Sequence, residues 1–481
     1  MSPNDNGLTA GQRWVLALTS AASLMVSLDT QVVATALPVI QRHLHASLSA
    51  LEWTVNAYTL SFAVLLLTGA ALGERLGRRR MLAAGVGLFT MASAACALAQ
   101  NAGALIAARA VQGAGAALML PLALALLSAA FPPQRRAWAL GIFSSVIGIA
   151  VLAGPIVGGA VTQGLAWSWI FWLNVPIGLV MIPLILTRIN ETARVRASLD
   201  LPGLVLATGG ALGLVWALIR ANGAGWASPE IIATLTLGVL LSAAFIAWEL
   251  RTAHPMVPVR LFGQRSFAAG NATVFCVFAM LLALVFFMAQ YLQNTLGYGP
   301  LGAGLRLLPG WAPLTFIAPF AGTFIARVGE RPLIAGGLAA TTGGLTWIAL
   351  IARPDLPYGQ LVAPLALAGL GVSVAVPATM SAVMTSVPPA AIGAASGTLN
   401  MLRQLGGVFG LAICAAVFAA RGGYASPAAF ARGFGPAIGA SAGLALLGAL
   451  SGLLLPAKNR PEKNTTITQQ PTSPQLLQIR R

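Results

Sequence analysis

Residues 27–40 read SLDTQVVATALPVI, an apolar run with one acid, Asp29, set among Leu, Val and Ala. The enclosing segment, 14–36, is long enough to cross a bilayer, which takes roughly 20 mostly apolar residues. A charge buried there costs at least a few kcal/mol unless it faces water or a partner. Asp29 therefore marks either a structural carboxylate held by polar neighbours or a proton or cation site on a transport path. Both readings presuppose a membrane helix, so the rest of the chain must be asked whether it is built the same way.

It is. Of 481 residues, 57% are hydrophobic and only 8% are Asp, Glu, Lys or Arg, against about 25% charged in a soluble domain. Disorder needs the opposite composition. Cys96, Cys276 and Cys414 lie far apart in apolar runs, which suggests neither a disulfide framework nor a metal cluster. The first twelve residues, MSPNDNGLTAGQ, lack the basic start and cleavage site of a signal peptide, so the first apolar segment reads as a retained helix. Fourteen such segments are predicted: 14–36, 53–72, 81–99, 103–128, 138–161, 168–187, 202–219, 231–249, 269–292, 305–325, 333–351, 359–383, 396–418 and 434–455. By these bounds Asp29 is the one acid deep in a helix.

An even number of spans puts both termini on one side, and the charges choose which. With the termini inside, twenty Lys and Arg residues fall on the inner side, five on the outer, and three (Arg109, Arg306, Arg403) within or near helix ends. That asymmetry predicts cytoplasmic termini. It also disposes of nucleic acid as the reason for the net charge of +17, since the basic residues come in small groups between apolar stretches. The connecting loops leave no room for a catalytic or nucleotide-binding domain, and no GxxxxGK[ST] stretch occurs. His43, His45 and His254 form no pattern with carboxylates that suggests a metal or hydrolytic site. An enzyme is not expected. The polar tail 457–481 is expected to be disordered. A weak internal echo, ERLGRRR at 74–80 and ARVGERP at 326–332, fits the paired bundles of secondary transporters.

Several motifs then fall on the expected helices. Leu28-Asp29-Thr30-Gln31 through Ala36-Leu37-Pro38 resembles a first-helix LDxTIVNVALP, with Gln31 and Ala34 departing from it. Glu52-Trp53 and Tyr58 resemble an entry to the second helix. Leu72-Gly73-Glu74-Arg75-Leu76-Gly77-Arg78-Arg79-Arg80 resembles a GxLaDRxGRRR loop, with Ala70 at the first glycine and Glu74 for the usual Asp. Leu105, Arg109, Gln112, Gly113 and Gly115 resemble LxxxRxxQGxG. Gly141 and Gly154-Pro155-Ile156-Val157-Gly158-Gly159 resemble a fifth-helix antiporter signature, with Ala150 replacing one glycine. Residues Trp167–Phe171 and Asn174–Gly178 resemble WRWIFxxNxPxG, with Ser168 for Arg, and Pro309, Asn400, Arg403, Gln404, Gly406 and Gly407 fit the second half. Over residues 13–455 the chain resembles the fourteen-helix drug:proton antiporters of the major facilitator superfamily.

The resemblance implies an all-α polytopic fold in the bacterial cytoplasmic (inner) membrane: a tail 1–12, a six-helix bundle 13–190, two added helices with linker 191–265, a second six-helix bundle 266–456, and the tail 457–481. It implies proton-coupled export without a cofactor, its partners being a small lipophilic substrate, protons and the bilayer. A monomer is the default, and accessory periplasmic partners are left open. Asp29, Arg109 and Gln112 become candidates for proton coupling. Arg109 needs acceptors, either Asp29 or carbonyls of a broken helix, and Gln112 shares its helix face. Glu74, Arg75, Gly77, Arg78 and Arg79 are candidates for a cytoplasmic latch, although topogenic charge alone accounts for the arginines. Gly141, Gly154, Pro155, Gly158 and Gly159 allow close packing and a bend, and by the resemblance they favour export over proton-coupled uptake of a small organic solute. A non-transporting receptor or scaffold would not need Asp29 and Arg109. Gln31, Trp53, Tyr58, Asn271, Gln290 and Asn400 are candidates for a substrate cavity. With one deep acid and no cluster of carboxylates, the expected substrate is lipophilic and neutral or monocationic.

Overall fold

The computed structural model describes residues 8–191, 200–253, 255–317, 320–388 and 391–456. His254, the tail 457–481 and most of the 191–200 loop, with Arg194 and Arg196, lie outside these. The described chain is helical without strands: α1 (Ala10–Leu44), α2 (Leu48–Leu76), α3 (Arg78–Ala97), α4 (Ala102–Ala130), α5 (Pro133–Gly164), α6 (Trp169–Trp172), α7 (Asn174–Arg188), α8 (Leu201–Ala224), α9 (Pro229–Arg251), α10 (Arg265–Gln290), α11 (Pro300–Arg306), α12 (Leu308–Ile317), α13 (Ala321–Val328), α14 (Glu330–Ile351), α15 (Gly359–Thr385), α16 (Ile392–Arg421) and α17 (Pro427–Leu453).

The helices run further than the apolar runs because polar residues cap them. Thr9 and Gln12 form a reciprocal capping box at the start of α1, and His45, in the left-handed region at φ 49°, ends it. Ser47 caps α2, which starts five residues before the predicted span, and Asn101 caps α4. Such side chains satisfy N–H groups that a helix end leaves without partners. Two consequences follow. Asp29 sits close to the middle of the longer α1, not displaced toward one end. Glu52, one residue ahead of the predicted span 53–72, lies inside α2.

Among the described residues, thirteen helices are long and apolar enough to span a bilayer, and the chain is a multi-pass membrane protein. The tenth predicted span, 305–325, is interrupted at Leu307, between α11 and α12, and its last described residues belong to α13. Pro309 brings no N–H to the ladder, and Pro313 lies inside α12. The interrupted stretch packs on α5 and α15.

Contacts fall into groups. Helices α1 to α7 pack on one another, as do α10 to α17, while α8 pairs with α9 and reaches α2 and α16. The apolar cores divide differently. One core runs through both groups, from Val33, Leu37 and Trp167 to Phe286, Tyr291 and Phe434 at the face remote from the termini, and in the second group it continues to Ile334 and Leu455 at the other face. Toward the face carrying the termini, the groups have separate cores, around Leu82, Phe89 and Phe131 in the first and Phe267, Val274 and Leu399 in the second. The two halves share one core at the remote face and also meet through α2 and α16, where Val64 packs with Val408 and Leu67 lies against Gly397.

Candidate functional site

Asp29 is buried at the centre of the first group and meets Arg109 from α4. Arg109 Nη1 donates to Asp29 Oδ2 at 2.5 Å and to Gln112 Oε1 at 2.7 Å, and its Nε donates to the Thr54 carbonyl at 3.2 Å. Gln112 Nε2 returns to Asp29 Oδ1 at 2.9 Å. The i,i+3 spacing of Arg109 and Gln112 lets both reach one carboxylate. Two residues that the sequence did not single out for this site complete the set. Asn174, the first residue of α7, donates to Asp29 Oδ1 at 3.4 Å and to Ser93 Oγ at 3.1 Å, and Ser93 donates to the Phe171 carbonyl at 2.9 Å. Arg109 is 1% exposed and Asp29 3%. The pair survives in a dry interior because nearly every donor and acceptor has a partner, the condition under which burial of two charges is sustainable. Of the two acceptor sets expected for Arg109, the structure supplies Asp29 together with a carbonyl of an unbroken α2.

A cavity of about 360 Å³ lies between the two groups, lined by side chains that include Ser27, Thr30, Gln31, Tyr58, Phe62, Trp311, Arg403 and Gln404. Asp29 is not among its lining residues. Tyr58 stands between: its ring lies under the Arg109 guanidinium at 4.1 Å, and it forms part of the cavity wall. Of the six candidates for this cavity, Gln31 and Tyr58 line it. Trp53 packs against Trp216 of α8 at 5.7 Å, in a separate groove. Asn271 and Asn400 turn back to carbonyls of their own helices, Phe267 and Ser396. Gln290 is buried beside Tyr424, whose hydroxyl donates to Gln290 Oε1 at 2.5 Å. Burial, with the Glu52 carboxyl adding to it, pushes the Tyr424 phenol upward, so Tyr424 remains a donor. Glu52 and Asn56, one turn apart on α2, are buried nearby, and Glu52 Oε2 and both polar atoms of Asn56 have no hydrogen-bond partner.

The glycines of α5 do different jobs. A side chain at Gly154 would collide with Gln31 and one at Gly158 with Thr35, so this face lies directly on α1. Gly159 faces the second group: a Cβ there would stand 2.5 Å from the Pro300 carbonyl oxygen. Gly304 of α11 is pressed in turn on the Pro155 carbonyl. With Gln293 Nε2 donating to the Thr35 carbonyl at 2.9 Å, these contacts join the two groups at the remote face. Gly141 has open space around it.

On the terminal face, Gly77 takes φ +108° between α2 and α3, a conformation that L side chains rarely adopt. The acid that organises this corner is Glu191, just past α7. It accepts from the Arg79 N–H at 3.0 Å and pairs with Arg79 and Arg80 at 3.7 and 4.0 Å. Arg79 Nη1 also donates to the Leu186 and Ile189 carbonyls, and Glu74 pairs with Arg78 at 3.7 Å. These contacts tie α3 to α7 within the first group.

The sequence profile of the Major Facilitator Superfamily matches residues 19–411 and 273–476. The chain is 34% identical to the tetracenomycin C resistance and export protein of Streptomyces glaucescens, over 89% of this chain and 80% of that protein. It is 36% identical to the cephamycin export protein of Amycolatopsis lactamdurans, over 88% of each. Among solved structures it is similar to an auto-inhibited peptide transporter of the POT family, with a TM-score of 0.69 at 15% identity over 95% of this chain and 98% of that one. A bacterial homologue of the lysosomal transporter Spinster, inward-facing and unoccupied, gives 0.68 at 16% identity over 93% and 98%. At such identities the structural likeness establishes the fold.

Proposed function

The chain belongs to the Major Facilitator Superfamily, and from that premise we propose that it exports lipophilic antibiotics or related toxic compounds across the bacterial cytoplasmic membrane in exchange for protons. The observation that carries the proton half is the enclosed Asp29–Arg109–Gln112 network. Protonating Asp29 removes its charge and releases Arg109, whose guanidinium rests on Tyr58. Tyr58 is also cavity wall, so a proton on α1 and a substrate in the cavity act on the same side chain. The carboxylate helix is locked to α5 through Gly154 and Gly158, and α5 meets α11 through Gly159. A change at Asp29 therefore has a packed route to a contact between the halves, and alternating access would open that contact.

The charge asymmetry of the loops supports cytoplasmic termini. With that orientation the separate cores of the two halves lie toward the cytoplasm, where an exporter loads. The export relatives and the Gly-Pro pattern of α5 support this direction over uptake. The two bundles enclose one path, which supports a monomer as the working unit. Inverted vesicles with an imposed proton gradient test the reading, using a panel of dyes and antibiotics. Gradient-dependent accumulation of a compound inside the vesicles is the expected result. Export indifferent to the gradient for every compound would remove proton coupling, and uptake into right-side-out cells would reverse the direction.

A further inference from the structure

Among the described residues, the lining of the central cavity contains one charged side chain, Arg403 of α16. Its guanidinium lies over the Phe278 ring at 4.8 Å, and among the described residues no carboxylate or other acceptor is bonded to it. The other deep arginine behaves differently, since Arg109 is taken up by Asp29, Gln112 and the Thr54 carbonyl. A guanidinium carries five N–H donors and stays charged, so Arg403 brings a fixed positive charge and a fork of donors to the cavity. Nothing in the lining offsets it. Asp29 is committed behind Tyr58, and the remaining polar lining is neutral: Ser27, Thr30, Gln31, Thr59, Ser144 and Gln404.

We propose that Arg403 makes this cavity a receptor for amphipathic anions, compounds with an aromatic or polycyclic body and a carboxylate, phenolate or enolate oxygen. This assignment rests on the export reading above and sets its substrate class, replacing the neutral-or-monocationic expectation drawn from the sequence. The anionic oxygen meets the guanidinium fork, the geometry for which arginine is suited. The apolar body lies against Phe62, Leu281, Trp311 and Val376. A lipophilic cation finds no carboxylate there and meets a like charge in a site of low dielectric, where the repulsion is strong.

Fluorescein and rhodamine 6G, xanthene dyes of opposite charge, separate the possibilities by fluorescence polarisation with the full chain purified in detergent. Wild type should bind fluorescein at least about tenfold more tightly, the scale of a hydrogen bond to a charged group. Arg403→Gln should lose that factor for fluorescein and leave rhodamine 6G unchanged or improved, while Arg403→Lys should keep part of the preference. Equal or tighter binding of rhodamine 6G by wild type overturns the assignment without recourse to any variant. An unchanged dye ratio in a folded Arg403→Gln protein does so as well. Binding in micelles needs neither a gradient nor a direction, so its outcome is independent of the export reading. Gradient-driven export of rhodamine 6G but not fluorescein would keep export and sink the anion site.

Discussion

Asp29 and Arg109 form an enclosed ion pair, so removing one partner should cost far more than removing both. Consider Asp29→Asn, Arg109→Gln and the double variant. Breaking a buried pair from one side typically costs about 3–5 kcal/mol, because the survivor is left charged without compensation. The low end applies here. Asn at position 29 keeps an oxygen for Arg109, which also retains the Gln112 oxygen and the Thr54 carbonyl. Each single variant should therefore lose about 3 kcal/mol, a factor of roughly 150 in the folded population. The double variant leaves no net charge and preserves most of the hydrogen-bonding shape, so it should lose no more than either single change. The resulting coupling energy is about 3 kcal/mol, readable from reversible unfolding in mixed micelles as a double-mutant cycle. Additive losses, with the double variant falling by the sum of the two, would refute the reasoning. The pair would then be two separately solvated groups.

Other changes separate the roles of neighbouring residues. Gly159→Ala should prevent the remote face from closing, since its Cβ meets the Pro300 carbonyl, whereas Gly141→Ala, in open space, should be silent. Cross-linking of a cysteine pair at Gln163 and Leu301 by a short bifunctional maleimide, at positions joined by a hydrogen bond from the Leu301 N–H to Gln163 Oε1, would report the difference as slower cross-linking in the first variant alone. Gly77→Ala combines a positive φ with a collision against the Glu191 carboxylate, and should lower the unfolding free energy by about 1–3 kcal/mol. Glu191→Gln, which keeps the shape but not the charge, should cost about 1 kcal/mol on the same measurement. Glu52→Gln should express and purify like wild type, while Glu52→Lys, a longer charge in a closed site, should fail to yield folded protein by gel filtration.

The parts of this protein legible in its sequence are those where water and hydrocarbon treat residues most differently. Asp29 and Arg109 stand out because a charge in an apolar run is rare, and the structure joins them. Ser93 and Asn174 complete the same network yet carry no comparable signal, since neutral polar residues are common in membrane helices and sequence does not say which face turns inward. Arg403 was read as a charge near a helix end. The predicted span 396–418 already enclosed it, but an apolar run does not say which face turns to a cavity, and α16 turns Arg403 into the cavity wall. Glu191 was visible as an acid in a loop, but its partners are more than a hundred residues away in the chain. The cavity candidates fared worst. Asn271, Gln290 and Asn400 are polar groups on largely apolar helices, and such groups are as readily satisfied by a carbonyl one turn back as by a ligand. The interruption at Leu307 has its cause in plain view, Pro309 two residues on, but an apolar-length criterion does not weigh a missing N–H.

The central claim is that a proton on Asp29 is exchanged for substrate, and the most direct measurement records both fluxes at once. Purified protein is reconstituted into liposomes containing a pH-sensitive dye, and an outward substrate gradient is imposed without a pH gradient. Wild type should move protons inward in proportion to the substrate leaving. Asp29→Asn, reconstituted to the same level, should show no substrate-driven proton movement. Proton and substrate fluxes in Asp29→Asn equal to those of wild type would contradict the account and return Asp29 to a purely structural role.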